Sequence, residues 1–187
     1  MAEIVLFHHA QGRTDGVLSL AARLGAAGHT VHTPDVYEGR TFDHLDAGIA
    51  HASAIGFEEV RRRGVAAVDG LPEGLVYVGL SLGAMPAQLL AQTRPGARGA
   101  MLLHAAVPLE FFGPWPDGVR AQIHTMADDE RGDVAEARQL ADEVPTVELF
   151  LYDGDRHLFT DDSLPAHDPV AARLVEERLL RFLEEVG

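Results

Sequence analysis

The chain has 187 residues, a formal net charge of −14, 47% hydrophobic and 24% charged residues, no cysteine and no lysine. These proportions fit one globular domain with a sizeable core, and the acidity argues against nucleic acid or anionic membrane as a partner. The absent residue types exclude disulfides, thiolate metal sites, a cysteine nucleophile and a Schiff-base lysine. No run approaches the roughly 20 apolar residues of a membrane span, and the first residues carry neither a basic region nor a cleavable apolar segment. A cytoplasmic protein is the resulting expectation.

Residues 4–8 form a continuous apolar run and read as a buried strand. Residues 16–27 read as a helix with Val17, Leu18, Leu20, Ala21 and Leu24 on one side and Gly25 and Gly28 near its end. Residues 30–33 form a second strand, stopped by Pro34 and Asp35. The stretch 37–56 is the least periodic of the chain. Residues 57–68 read as a helix, with Arg61, Arg62 and Arg63 as a solvated end favourably placed in the helix dipole. A strand over 75–80, a helix after Ser81 and a strand over 100–104 follow, then a loop rich in proline and aromatic residues over 108–116. The remaining elements are a strand over 119–125, a helix over 134–143, a strand over 147–152 and an amphipathic helix over 169–186. Strands alternating with helices imply a mostly parallel central sheet with helices on both faces. No repeat, low-complexity tract or linker interrupts the pattern, so a single domain over 1–187 is expected.

The most informative stretch is Gly79-Leu80-Ser81-Leu82-Gly83. A G-x-S-x-G between a strand and a helix is the nucleophile elbow of α/β-hydrolases, in which a sharp turn presents the serine. Glycines on either side allow strand and helix to pack closely, and Pro86 falls in a first turn where an N–H has no helical acceptor to lose. A serine hydroxyl needs an imidazole to take its proton and a carboxylate to orient that imidazole. In this fold they follow in the order Ser, acid, His, on loops at the carboxyl ends of later strands. His157, after the strand ending at Tyr152, has the right order. Asp128 and Asp129 both lie early in the preceding such loop, and periodicity does not choose between them. An oxyanion hole would take one N–H from Leu82 and another from the loop around residues 9–12.

Taken together, these stretches resemble the dienelactone hydrolase family of α/β-hydrolases. The resemblance rests on residues 5–12, 33–37 and 79–83, on residues 122–129, and on residues 151–159, and so spans nearly the whole chain. It implies an α/β-hydrolase fold without a large cap domain. Laying the family's I-H-x-G-x-x-D pattern on Ile123 and His124 assigns the acid to Asp129, and its G-x-x-H-x-F pattern falls on Gly154 and His157. Three departures stand out. Ser81 replaces the cysteine of the best-known members, His9 occupies the place of a glutamate in the first loop, and Thr160 and Asp161 fill a region where an arginine grips a substrate carboxylate. An aspartate there would repel a carboxylate, so a neutral ester or lactone is expected rather than an anionic dienelactone.

The sequence therefore predicts a hydrolase of small esters or lactones working through an acyl-enzyme. Its catalytic residues would be Ser81, Asp129 and His157, its oxyanion donors the N–H groups of Leu82 and Ala10. His9 and Trp115 are candidate substrate contacts; Phe111, Phe112 and Trp115 either wall an acyl pocket or simply pack their loop. His8, His9, His104 and His124 fall at carboxyl ends of strands, but no matched ligand set completes a metal site. No cofactor is expected. The expected partner is a small-molecule substrate, with neither nucleic acid nor membrane, for a monomer or small homo-oligomer. A broad carboxylesterase or thioesterase with the same triad is one alternative. A catalytically silent ligand-binding protein on a hydrolase scaffold is the other.

Overall fold

Alternation along the strands builds two cores. In β1 (Glu3–Phe7), Ile4 and Leu6 face one side of the sheet while Val5 and Phe7 face the other. In β3 (Leu75–Leu80), Val76, Val78 and Leu80 join the first core and Leu75 and Tyr77 the second. Because both faces are covered, these strands read in the sequence as unbroken apolar runs. The computed structural model describes residues 1–187. It contains one sheet of six strands in the order β2-β1-β3-β4-β5-β6, every neighbouring pair parallel. The other strands are β2 (Thr30–His32), β4 (Gly99–Leu103), β5 (Arg120–Met126) and β6 (Val147–Tyr152).

Helices α1 (Asp15–Ala26) and α6 (Pro169–Val186) cover one face, through Val17, Leu20 and Leu24 and through Val175, Leu179 and Phe182. Helices α4 (Ala84–Thr93) and α5 (Val134–Glu143) cover the other, through Ala84, Ala87 and Leu90 and through Ala137 and Leu140. Two of these helices have side-chain caps. Thr14 accepts from the Val17 N–H, and Asp168, just before Pro169, accepts from the N–H groups of Val170 and Ala171. Those N–H groups hold the Asp168 carboxyl below its ordinary range.

The aperiodic stretch 37–56 contains a helix the sequence did not announce, α2 (Leu45–Ile55). It is followed at once by α3 (Phe57–Ala66), where Arg62 and Arg63 pair with Glu59, and Arg61 with Glu58. The strand expected over 119–125 runs one residue later, and the helix expected over 57–68 ends at Ala66.

The strand order reverses at β1: the chain moves outward to β2, then returns to place β3 on β1's other side. The crevice at such a switch point, outside the carboxyl ends of the strands, is where open α/β sheets bind ligands. Phe7 and Gly79 are register partners, so the loops after β1 and β3 leave the sheet side by side.

Candidate active site

Ser81 sits on the turn between β3 and α4 with φ of 49°, a left-handed conformation costly for a non-glycine residue. Close packing enforces it. A Cβ on Gly79 would come within 2.3 Å of the Gly83 carbonyl oxygen, and one on Gly83 within 2.4 Å of the Phe7 carbonyl oxygen. Only glycines at both positions let β3, α4 and the end of β1 approach this closely.

The side chains from three loops meet. The Ser81 hydroxyl lies 2.8 Å from His157 Nε2, and His157 Nδ1 lies 2.8 Å from Asp129 Oδ2. The second oxygen of Asp129 accepts from the Arg131 backbone N–H at 2.9 Å. With Asp129 as acceptor, His157 carries its proton on Nδ1 and leaves Nε2 free to accept from Ser81. Met126 and Tyr152 are register partners at the ends of β5 and β6, which brings the acid and histidine loops to one level. Between the two adjacent aspartates the turn decides. Asp128 donates its N–H to the Gly154 carbonyl and is exposed, while Asp129 turns inward and is buried.

Ala10 and Leu82 line one cleft with Ser81, of about 390 Å³. The Ala10 loop is fixed from behind by α2. A Cβ on Gly48 would sit 2.0 Å from the Ala10 carbonyl oxygen, so only glycine lets this helix lie against the loop. The remaining wall is largely apolar: Ile49 and Ala52 from α2, Phe57 from α3, Met85 from α4, and Val107. Asp133 is the one carboxylate in it. On the other side of His157 a more polar groove holds Asp128, Glu130, Arg131 and Asp155.

Several residues singled out in the sequence lie elsewhere. His9 does not contact the cleft. It is fully buried, with Nε2 2.8 Å from Asp161 Oδ2 and Nδ1 accepting from the Gln11 N–H. Trp115 packs against the core cluster that holds Val144 and Val147, at the start of β6, and donates to the Val119 carbonyl before β5. It therefore belongs to the amino edge of the sheet, opposite the serine. The loop that carries it doubles back along the whole length of β5, which the sequence alone does not reveal. Phe111 is exposed, and the Arg61 guanidinium lies 6.0 Å from the Phe112 ring centre; neither ring lines the cleft.

Of the other histidines, His8 and His124 have both ring nitrogens hydrogen-bonded, whereas His104 Nδ1 is buried without a partner. His8 donates from Nδ1 to the His9 carbonyl and accepts at Nε2 from the Val36 N–H. Burial pushes its pKa down to about 4. His124 bonds Tyr152 and Gln122, and burial lowers it to about 3, with Arg178 adding to the effect. His104 bonds the Thr160 hydroxyl and lies edge-on to His157, with ring centres 5.8 Å apart; burial takes its pKa well below the ordinary value. No three histidine or carboxylate side chains converge as a metal ligand set. No helix is long and apolar enough to cross a membrane.

Two functional elements escaped the sequence reading. The first is the cleft wall from α2, whose only signal was Leu45, Ile49 and Ala52 at helical spacing. The second is Asp133, which directly precedes the helix expected over 134–143 and was not singled out.

The family model described as the dienelactone hydrolase family matches residues 1–187. Among solved structures, a Klebsiella pneumoniae protein assigned as a dienelactone hydrolase superposes with a TM-score of 0.76 at 15% identity, covering 99% of this chain and 87% of its own. A dienelactone hydrolase from Anabaena variabilis gives 0.72 at 17% identity, covering 99% and 87%. A pyrethroid hydrolase from Sphingobium faniae gives 0.62 at 18% identity, covering 98% and 97%. At such identities these likenesses establish the α/β-hydrolase fold. No curated protein sequence matches the chain.

Proposed function

The chain belongs to the dienelactone hydrolase family, and from that premise we propose that it is a serine hydrolase cleaving small esters or lactones through an acyl-enzyme on Ser81. It is a hydrolase acting on ester bonds. The observation that carries the serine mechanism is the continuous chain Ser81–His157–Asp129, two 2.8 Å contacts in line behind a strained, glycine-flanked serine.

In this reading the Ser81 oxygen attacks the carbonyl carbon as its proton passes to His157 Nε2. Asp129 keeps the imidazole in its Nδ1–H tautomer and stabilises the imidazolium. The Leu82 and Ala10 N–H groups hold the developing oxyanion. The tetrahedral intermediate collapses, the C–O bond to the alcohol breaks, and His157 returns its proton to the leaving alkoxide. Water, deprotonated by the same imidazole, then attacks the acyl-enzyme and releases the acid with Ser81 restored. These steps are complete with the residues of one catalytic domain over 1–187.

The cleft supports a neutral, largely apolar substrate. Its wall carries no arginine to hold a carboxylate, so an anionic dienelactone fits poorly.

The test is intact-protein mass spectrometry after incubation with a fluorophosphonate. One adduct is expected on the parent, none on Ser81→Ala, and a much slower one on His157→Ala. No adduct on well-folded parent protein would overturn the serine mechanism and bring forward a ligand-binding role. A panel of oxygen esters and thioesters then separates a lactone or ester hydrolase from a thioesterase.

A further inference from the structure

Asp133 stands at the head of α5 with φ of 48° and ψ of 43°. An N-cap aspartate ordinarily turns its carboxylate back to the first N–H groups of its helix, as Asp168 does at the head of α6. Asp133 makes no such bond. Its backbone is left-handed rather than extended, and the residue, though exposed, lines the apolar cleft with Ser81, Met85 and Val107. The neighbouring side chains that could bond it are engaged elsewhere: Arg131 pairs with Asp46 at 2.9 Å, and the His157 imidazole bonds Asp129 and Ser81, each at 2.8 Å. Burial, with Glu136 and Asp129 reinforcing it and His157 opposing, raises its pKa to about 6. It is therefore largely ionised at pH 8.

We propose that Asp133 sets the charge preference of the cleft, receiving a cationic group carried by an otherwise apolar ester and excluding a carboxylate. This rests on the reading of Ser81 as nucleophile. The cleft, at about 390 Å³, accommodates a small ester whose other end reaches Asp133 while its carbonyl sits at Ser81. Since Ser81 and Asp133 line the same cleft, a charge on the substrate meets the carboxylate at short range. The apolar cleft walls strengthen that interaction, while the exposure of Asp133 lets solvent screen it. A preference of about 5- to 50-fold in kcat/KM for cation over neutral is the expected scale.

Matched substrates test it. The p-nitrophenyl esters of hexanoic acid, 6-(trimethylammonio)hexanoic acid and adipic acid place no charge, a cation or an anion at the acyl end. Choline hexanoate against 3,3-dimethylbutyl hexanoate places the cation in the alcohol instead. Each rate is compared with the neutral ester of the same enzyme. The parent is expected to favour the cation in one of the two series and to disfavour the adipate. Asp133→Asn keeps the side-chain shape and a residue that tolerates a left-handed backbone while removing the charge. In that variant the cation-to-neutral ratio should fall to near one and the adipate should gain on the neutral ester. A parent indifferent to charge in both series, or a variant that keeps the parent's ratios, overturns the proposal. Failure of the parent to cleave even the neutral esters would instead refute the hydrolase reading, and the proposal with it.

Discussion

Mild acid should weaken this fold steeply, and the reason lies in histidines held neutral in the core. His8 and His124 are each almost wholly inaccessible, with pKa values pushed down to about 4 and about 3. An unfolded histidine titrates near 6.5. Below that value the unfolded chain takes up a proton that the native chain refuses until the depressed pKa is reached. The unfolded state therefore binds more protons, and stability falls as pH falls through this window. Between pH 7 and pH 5 each of the two sites accounts for a loss of about 2 kcal/mol. His104, lowered in the same direction, adds to it. Asp161 leaves the window unchanged. Burial alone would raise its carboxyl, but hydrogen bonds from His9, Ser163 and Thr14 hold it far below the usual range, so its contribution is lost only as pH falls below that of an ordinary aspartate. Asp133, with its raised pKa, works the other way and is exposed, so screening shrinks its relief. The net loss of at least about 4 kcal/mol is a large share of a typical domain's 5–15 kcal/mol. Urea unfolding followed by circular dichroism at pH 7 and pH 5 measures it directly as a shift in midpoint at constant slope. A change below about 1 kcal/mol would refute the reasoning, as would an NMR titration in which either ring gains its proton near pH 6.5 with the fold intact.

Three substitutions probe the site from different sides. Asp129→Asn should lower kcat about 10⁴-fold by favouring the wrong imidazole tautomer. Asp128→Asn, one position away but exposed and out of contact with His157, should change it little; equal effects in steady-state kinetics would reverse the choice of acid. Gly48→Ala should displace the loop carrying Ala10, because the new methyl would meet a backbone oxygen at 2.0 Å rather than a yielding side chain. It should lower kcat more than it raises KM and cost about 1–3 kcal/mol in unfolding free energy, and unchanged values of both would show that this helix does not position the loop.

The fold was legible where burial dictated composition. β3 and β4 read as unbroken apolar runs because helices cover both their faces, and α6 announced itself through a regular apolar stripe. The elbow was legible because two glycines and a serine are what the close approach of β3, α4 and β1 requires. α2 was not legible. Its Ala47, Gly48, Ala50, Ala52 and Ala54 give little periodic signal, and glycine disfavours a helix in isolation. Here Gly48 is present because the neighbouring loop leaves no room for a side chain, so the helix is specified by a tertiary contact that sequence periodicity does not encode. The cleft wall was hidden with it. The choice of Asp129 over Asp128 was likewise a matter of turn geometry: a hydrogen bond from the Asp128 N–H to Gly154 sends one side chain outward and its neighbour in.

The most instructive displacement concerns charge. In the sequence, Asp161 stood where an anion-binding arginine would be expected and so looked like the group that would repel a carboxylate. In the structure its carboxylate is fully buried and spoken for, accepting from His9 at 2.8 Å, from the Thr14 hydroxyl at 2.5 Å and from Ser163. His9 in turn immediately precedes Ala10, and Asp161 follows His157 by four residues. The pair thus ties the loop of the proposed oxyanion donor to the loop of the proposed base. Removing one partner from so buried a pair typically costs about 3–5 kcal/mol, which is a strong reason for the two loops to keep their relative position. A carboxylate already saturated by four donor groups from three residues projects little field into a cleft it does not line. The rejection of anions, first assigned to Asp161, therefore passes to Asp133, the carboxylate that does line it. Loop registration and charge selection are then separate tasks held by separate aspartates, so a change at Asp133 can retune the substrate without loosening the catalytic loops.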